Sequence, residues 1–180
     1  MSILHVENLK GLTTGSNANK VIVPSGQTLD ASDGTIVPSA GQIVQTQTRT
    51  VANNTMTTSS SSLVAVTNWY VDITPTKSTN LLIWRTTTMC GTTTVGGYMR
   101  FAIYNANTSS QWSSNTYMGA NGYNSVANQW METPLLHANT AGTTAAMRLQ
   151  LYVLITGGAS WDNQWSNSDA RLIEVMEIEQ

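Results

Sequence analysis

Charged residues are scarce in this sequence. Only 10% of its 180 residues are Asp, Glu, Lys or Arg, against roughly a quarter in ordinary domains. The eight basic residues are scattered along the chain. Because proteins grip phosphate backbones through clustered Lys and Arg, this composition argues against nucleic-acid binding. Thr, Ser and Asn supply the polarity instead and make up about a third of the chain.

Cysteine and histidine are almost missing. The single cysteine, Cys90, excludes an intrachain disulfide framework and a cysteine-rich zinc site. The two histidines, His5 and His137, have no cysteine or carboxylate at ligand spacing. We therefore expect neither a metal site nor a cofactor.

Long hydrophobic runs are missing too. The N-terminal MSILHVENLK lacks the apolar core of a signal peptide, and no stretch approaches the roughly 18 apolar residues of a membrane helix. We therefore expect synthesis in a cytoplasm without export through a recognisable signal, and no membrane insertion. Disorder is not expected, because 41% of the residues are hydrophobic and six are tryptophan.

Catalytic motifs are also lacking. The sequence has no G-x-S-x-G elbow and no glycine-rich phosphate loop before a helix. Glycoside hydrolysis needs two facing carboxylates, and no spacing pairs any two of the acids in the middle of the chain. We predict no catalytic residues and no enzymatic activity, with glycan hydrolysis as an alternative. The acids concerned are Asp72, Glu132, Asp162 and Asp169.

A duplicated segment is the most informative feature that is present. VPSGQ at residues 23–27 returns, with one alanine inserted, as VPSAGQ at residues 37–42. Each copy follows a short apolar extended stretch and ends it with a Pro/Ser/Gly turn. A unit this short cannot bury its own apolar side chains, so it needs a neighbouring repeat or an identical chain. The duplication therefore predicts an oligomer.

Beyond about residue 45 the sequence is typical of an all-β domain. Apolar and polar residues alternate over 147–155, which favours a strand, although the helix formers at 145–149 leave a helix possible there. About eight strands with Gly- and Asn-rich turns predict an antiparallel β-sandwich of the jelly-roll type. The predicted strands are 46–58, 63–73, 80–89, 98–104, 111–118, 126–132, 145–156 and 170–178.

The last predicted strand, ARLIEVMEIE, is apolar on both faces in its middle. Strands sandwiched between layers or between subunits have this pattern. Together with the duplicated segment, it predicts a homotrimer. The candidate interface residues are Val21, Val23, Ile36, Val37, Ile43, Ile173 and Val175.

Aromatic residues cluster at 112–130 and at 161–165. Such rings serve either as core or subunit-interface residues, or as flat platforms beside amide groups that bind sugars and proteins. In the second case, rigid aromatics and adaptable amides on a loop make the contact. The surface-binding candidates are Tyr117, Asn121, Tyr123 and Asn124.

Three segments resemble small virion proteins of tailed phages, especially those of marine bacteria and cyanobacteria. They are VIVPSGQTLDASDGTIVPSAGQIVQ with the Thr/Ser-rich stretch after it, VDITPTKSTNLLIWRTTT, and TGGASWDNQWSNSDARLIEVMEIEQ at the end. The resemblance implies a tail fibre, a capsid fibre or a decoration head. It also implies a trimer with an N-terminal attachment part and a C-terminal β-sandwich, and no catalytic residues.

These observations combine into one hypothesis. Residues 1–45 attach to other virion proteins and intertwine, while residues 46–180 form the head. The protein is then a trimeric structural part of a phage virion that contacts the host surface, through a glycan or a protein. The alternatives are a capsid decoration protein and a stand-alone lectin-like module.

Overall fold

A computed structural model describes most of the chain beyond residue 38. The chain divides into two compact units, residues 1–37 and 38–180, and the second is called the head below. The duplicated segment up to residue 38 lies outside the described residues, apart from Ser25, and the predicted boundary at residue 45 stays a prediction. The described residues are 14, 25, 39–51, 57–92, 98–114, 129–156, 161–162 and 171–180.

Within these residues the fold is entirely β, with no helix and hence none that could cross a membrane. The first sheet has four long strands side by side, which two strands of two residues extend. In spatial order the long strands are β1 (Ile43–Val51), β10 (Arg171–Ile178), β4 (Leu81–Thr92) and β7 (Gln129–Thr140), and the short ones are β2 (Thr57–Thr58) and β9 (Trp161–Asp162).

The second sheet also has four strands, and every pairing in both sheets is antiparallel. Within each sheet, strands far apart in the chain lie side by side, so long-range pairing dominates the fold. The spatial order of the second sheet is β3 (Val64–Ile73), β8 (Met147–Thr156), β5 (Tyr98–Asn105) and β6 (Ser110–Gln111).

One hydrophobic core joins the two sheets. Alternate side chains of the long strands, where the structure describes them, point inward, as the period of two requires. The inward residues of both sheets form a single buried cluster. Its largest fully buried members are Trp69, Trp84 and Phe101. Each such ring removes a large apolar area from water and dominates the packing energy. The prediction of an all-β fold with two antiparallel sheets, consistent with a β-sandwich, is confirmed.

Strand boundaries depart from the predictions in several places. The strand predicted at 111–118 ends at Gln111, and the strand predicted at 46–58 ends at Val51, with Thr57–Thr58 as a separate short strand. The helix formers at 145–149 belong to a turn and to the start of β8, so the strand interpretation is correct. The strand predicted at 126–132 continues to Thr140, through Pro134. Proline cannot donate to a ladder, but among the described strands β7 pairs with β4 alone, and an edge strand tolerates proline.

A bulge in β3 changes which residues face the core. The register with β8 shifts between Ala65 and Tyr70, and Asn68 adopts a left-handed conformation with φ of 62°. Asparagine is one of the few residues that adopt it readily. Before the bulge Val66 points inward, and after it Trp69 does. Between these pairs β3 advances five residues and β8 only two, an odd difference that places Tyr70 on the outer face.

A buried carboxylate ties β10 to the loop between β3 and β4. Glu177 is fully buried. Its Oε1 accepts hydrogen bonds from the backbone N–H of Thr76 (2.8 Å), the Thr76 hydroxyl (2.8 Å) and the amide of Asn80 (2.8 Å), and its Oε2 accepts one from the Gln45 amide (2.6 Å). Buried charges persist when hydrogen bonds satisfy them. The group is called the Glu177 cluster below.

Two further residues extend the Glu177 cluster towards the C-terminus. Glu179 is also buried and forms an ion pair with Lys77. The side-chain oxygen of Asn80 accepts a hydrogen bond from the backbone N–H of Gln180 (3.2 Å). The end of the chain is therefore held to the loop by one ion pair, a charge-assisted contact of the stronger kind, and by one neutral hydrogen bond.

Hydrogen bonding decides the ionisation of Glu177. Burial by itself raises its pKa, because the charged form loses solvation. Hydrogen bonds from Gln45, Asn80 and Thr76 together outweigh burial, so the pKa of Glu177 lies below its ordinary value of 4.5. The carboxylate stays charged inside the head.

We expect acid to destabilise the head through Glu177. Its folded-state pKa is depressed, so the unfolded chain takes up this proton first as the pH falls. The stabilisation is complete above the ordinary value of 4.5 and is lost as the pH falls through the folded-state pKa. Urea unfolding at several pH values between about 5 and 3 measures this loss. Glu177→Gln should lose less stability than the unaltered protein over the same range, and equal losses would contradict the assignment.

Candidate self-association surface

The outward side of the first sheet is apolar. Three large hydrophobic side chains are strongly exposed among the described residues: Ile43 (56%), Leu136 (68%) and Leu172 (51%). They come from β1, β7 and β10, and all three lie on this one side. Scattered exposed hydrophobics are ordinary, but a grouped set marks an interaction site.

The strand register connects these residues into one surface. Ile43 lies opposite Ile178, which lies opposite Leu81. In the next row Met176 lies opposite Ile83. Residues directly opposite each other share a face of the sheet, and these neighbours are half-buried. We call the surface the outer apolar face, with the members Ile43, Leu81, Ile83, Leu136, Leu172, Met176 and Ile178.

An ion pair lies within the outer apolar face. The Nε and one Nη of Arg85 donate to the same oxygen of Glu174, at 3.0 and 2.7 Å. Beside the pair is a shallow depression of about 450 Å³, which Leu136, Leu172 and Pro134 also line. Because the two charges satisfy each other, the depression could be covered by another protein surface without leaving a lone buried charge.

Threonine residues border this face on β1. Thr46, Thr48 and Thr50 are exposed and lie opposite Met176, Glu174 and Leu172. Apolar residues in the middle and hydroxyl groups at the edge match the arrangement of protein interfaces, which have an apolar centre and a polar rim. The geometry therefore suits contact with a folded protein surface.

The structure divides the predicted interface residues into three groups. Ile43 lies on the outer apolar face. Ile173 and Val175 are fully buried in the core of a single chain, so their side chains have no access to a second copy. On this strand the outward residues, such as Leu172, replace them as candidates. The remaining predicted residues, Val21, Val23, Ile36 and Val37, lie outside the described residues.

Sequence reasoning missed Leu81, Ile83 and Leu136. Leu81 and Ile83 belong to the run LLIW, in which every position is apolar. That run carries the same two-sided signal that singled out the last strand, and it could have been recognised in the same way. Leu136 follows Pro134 in a stretch that was not predicted as a strand.

The predicted surface-binding residues lie outside the described part of the chain. They are Tyr117, Asn121, Tyr123 and Asn124. The backbone of Trp161 and Asp162 forms β9 and pairs with β4.

The structure does not bring Asp72 and Glu132 together. Asp72 on β3 accepts two hydrogen bonds from Arg148, at 2.8 and 3.1 Å. Glu132 on β7 accepts one from Arg171, at 2.7 Å. The two carboxylates belong to different sheets, and each is paired with an arginine. This pair therefore has no facing arrangement of the kind that glycoside hydrolysis uses.

His137 is held in the structure by its neighbours. Its Nε2 accepts a hydrogen bond from the backbone N–H of Ser114 (3.2 Å), and its ring meets Trp112 edge-on at 5.4 Å. Burial lowers the pKa of His137, because the charged ring would lose solvation. An accepting Nε2 belongs to the neutral ring. Across the described ranges, no group of three or more His, Cys, Asp or Glu side chains is placed to hold a metal ion.

No model of a known protein family matches this sequence, and no curated protein matches it.

Proposed function

We propose that this protein is a homotrimeric structural part of a tailed-phage virion, with the head as a jelly roll. The outer apolar face carries the proposal, because it is an exposed apolar surface bordered by hydroxyl groups. A second copy of the head is its occupant. The resemblance of the lead-in and of the last strand to phage fibres and decoration heads supports the virion and the number three.

The order of strand pairing supports a jelly roll. When the short strands β2 and β9 are left out, eight strands remain in chain order. The first of them (β1) pairs with the last (β10), and the second (β3) pairs with the seventh (β8). The third (β4) pairs with the sixth (β7), and the fourth (β5) pairs with the fifth (β6). A long hairpin wrapped over two sheets has this order, and jelly rolls occur in viral capsid proteins and in lectins. The fold alone does not select between those functions.

In this proposal the two parts of the chain have separate roles. Residues 1–45 attach to neighbouring virion proteins, and residues 46–180 face outward and contact the host. A capsid decoration protein would use the same self-association but would need no host contact. Counting copies in purified particles separates these roles, since a tail fibre is present a few times per particle and a decoration protein many times.

Light scattering of the full chain tests the trimer. We expect a mass of about three times the 19.4 kDa of one chain at micromolar concentration. Burial of the outer apolar face against other copies is the physical reason. A mass of two chains would instead indicate a dimer in which the same face of each copy meets around a two-fold axis. A monomer would contradict the proposal.

A further inference from the structure

A row of tyrosine and glutamine residues crosses the outward side of the second sheet. Tyr70 on β3 lies opposite Gln150 on β8, and Gln150 lies opposite Tyr104 on β5. Tyr104 lies opposite Gln111 on β6. With strands about 4.8 Å apart, the row is about 14 Å long. We call it the Tyr–Gln row; it lies on the opposite side of the sandwich from the outer apolar face.

Two irregularities of the backbone assemble the Tyr–Gln row. The bulge at Asn68 turns Tyr70 outward, whereas an unbroken alternation from Val66 would have turned it into the core. The four-residue turn between β5 and β6 includes Ser109, with φ of 53°, and brings Gln111 opposite Tyr104. Bulges and strained turns are found where side chains are aimed for function.

The aromatic rings of the row are held in place. The ring of Tyr104 stacks on that of Tyr152, with centroids 4.3 Å apart and 26° between the planes. The guanidinium groups of Arg49 and Arg148 lie 3.8 and 4.0 Å from the centroid of the Tyr70 ring. Rings fixed before binding lose little entropy when a ligand arrives.

Each glutamine of the row is oriented by one hydrogen bond from its side-chain amide to the backbone. Gln150 donates from its side chain to the backbone oxygen of Val66 (3.0 Å), and Gln111 donates to that of Ser113 (2.8 Å). Their side-chain oxygens accept no hydrogen bond from the described residues. Those oxygens and the phenol hydroxyls are therefore oriented groups that accept or exchange hydrogen bonds with hydroxyls.

One of the two arginines beside the row has a carboxylate partner. Arg148 forms a two-bond ion pair with Asp72, and the guanidinium of Arg49 lies over the Tyr70 ring. The row itself contains no Asp, Glu, Lys, Arg or His. Tyrosine rings beside neutral groups that hydrogen-bond match a ligand with apolar C–H faces and many hydroxyls.

We propose that the Tyr–Gln row binds an uncharged oligosaccharide. A length of about 14 Å suits a short chain of sugars laid across the strands rather than a single sugar. The inference goes beyond the proposed virion role, and it does not depend on self-association, which uses the other face. In an assembled particle, many copies of a weak site would reinforce one another.

Saturation-transfer NMR and calorimetry on the full chain test this site. The probes are neutral hexasaccharides of glucose, mannose and galactose, with an acidic hexasaccharide of galacturonic acid as the comparison. We expect at least one neutral probe to bind with a dissociation constant of about 1 mM or below, which is ordinary for a single shallow site. Tyr104→Ala should weaken that binding about tenfold, through the lost ring contact.

Two further variants keep the outcome decisive. Gln111 is exposed, so Gln111→Ala should fold normally and still weaken binding several-fold. Thr48→Ala, on the opposite side of the head, should leave binding unchanged. The proposal is overturned if no neutral hexasaccharide binds at 5 mM, or if the acidic hexasaccharide binds more tightly than the neutral ones. It is also overturned if a folded Gln111→Ala variant binds as tightly as the unaltered protein. A protein that forms the trimer but binds no neutral hexasaccharide would contradict the sugar site alone and would leave the proposed virion role standing.

Discussion

Replacing Glu177 by glutamine is expected to lower the free energy of unfolding of the head by about 2–4 kcal/mol. The carboxylate is fully buried and accepts four short hydrogen bonds. Glutamine has the same shape but turns one acceptor oxygen into a donor, which then faces donors from Thr76, Asn80 or Gln45. Asn80 is also fully buried, so water has no access to the amide group that is left unpaired.

Urea unfolding at neutral pH, followed by tryptophan fluorescence, measures this loss. Glu132→Gln is the matched control, because it makes the same chemical change in a carboxylate that is 60% exposed. Its ion pair with Arg171 should contribute less than about 1 kcal/mol. If the two variants lose equal stability, the Glu177 cluster does not hold the C-terminal strand to the loop.

Introducing carboxylates on the outer apolar face is expected to abolish self-association. In Leu136→Glu combined with Leu172→Glu, two charges would have to be buried without partners in the contact between copies, near the existing Glu174. Unpaired burial costs several kcal/mol for each charge. Because both leucines are exposed in the single chain, the head itself should stay folded.

Light scattering should show the mass falling to that of one 19.4 kDa chain, while circular dichroism keeps its β signal. The control is Thr144→Glu with Ala145→Glu, which adds the same charge at exposed positions of the turn before β8. That variant should remain a trimer. A trimer that survives the leucine changes would place the contact elsewhere, and the outer apolar face would lose its assigned role.

The alternation of apolar and polar residues was enough to predict most strands. In β8, Met147, Leu149 and Leu151 all point inward, as their spacing of two indicated. Such periodicity is local, since it depends only on the geometry of an extended chain and on one face meeting a core. Composition likewise predicted an all-β fold, because Thr and the β-branched residues suit a pleated surface.

Tertiary structure decided which side of each two-faced strand meets the core. In the last strand, Ile173 is buried and Leu172 is exposed, although both are apolar. Periodicity alone cannot tell whether Leu172 or Ile173 meets the core, because a shift by one residue exchanges the two faces of the strand. The choice depends on pairing with β1 and β4, which lie about a hundred residues away in the chain.

The Tyr–Gln row could not be predicted from the sequence, because it also depends on how the strands pair. Its members are Tyr70, Tyr104, Gln111 and Gln150, which no local pattern links. Strand order and register bring them together, and the bulge at Asn68 sets the direction of the first. Local alternation of residue types predicted the extended chain and the apolar residues available for burial. Non-local pairing, whose energy comes from contacts between distant segments, decided the surfaces that the fold presents.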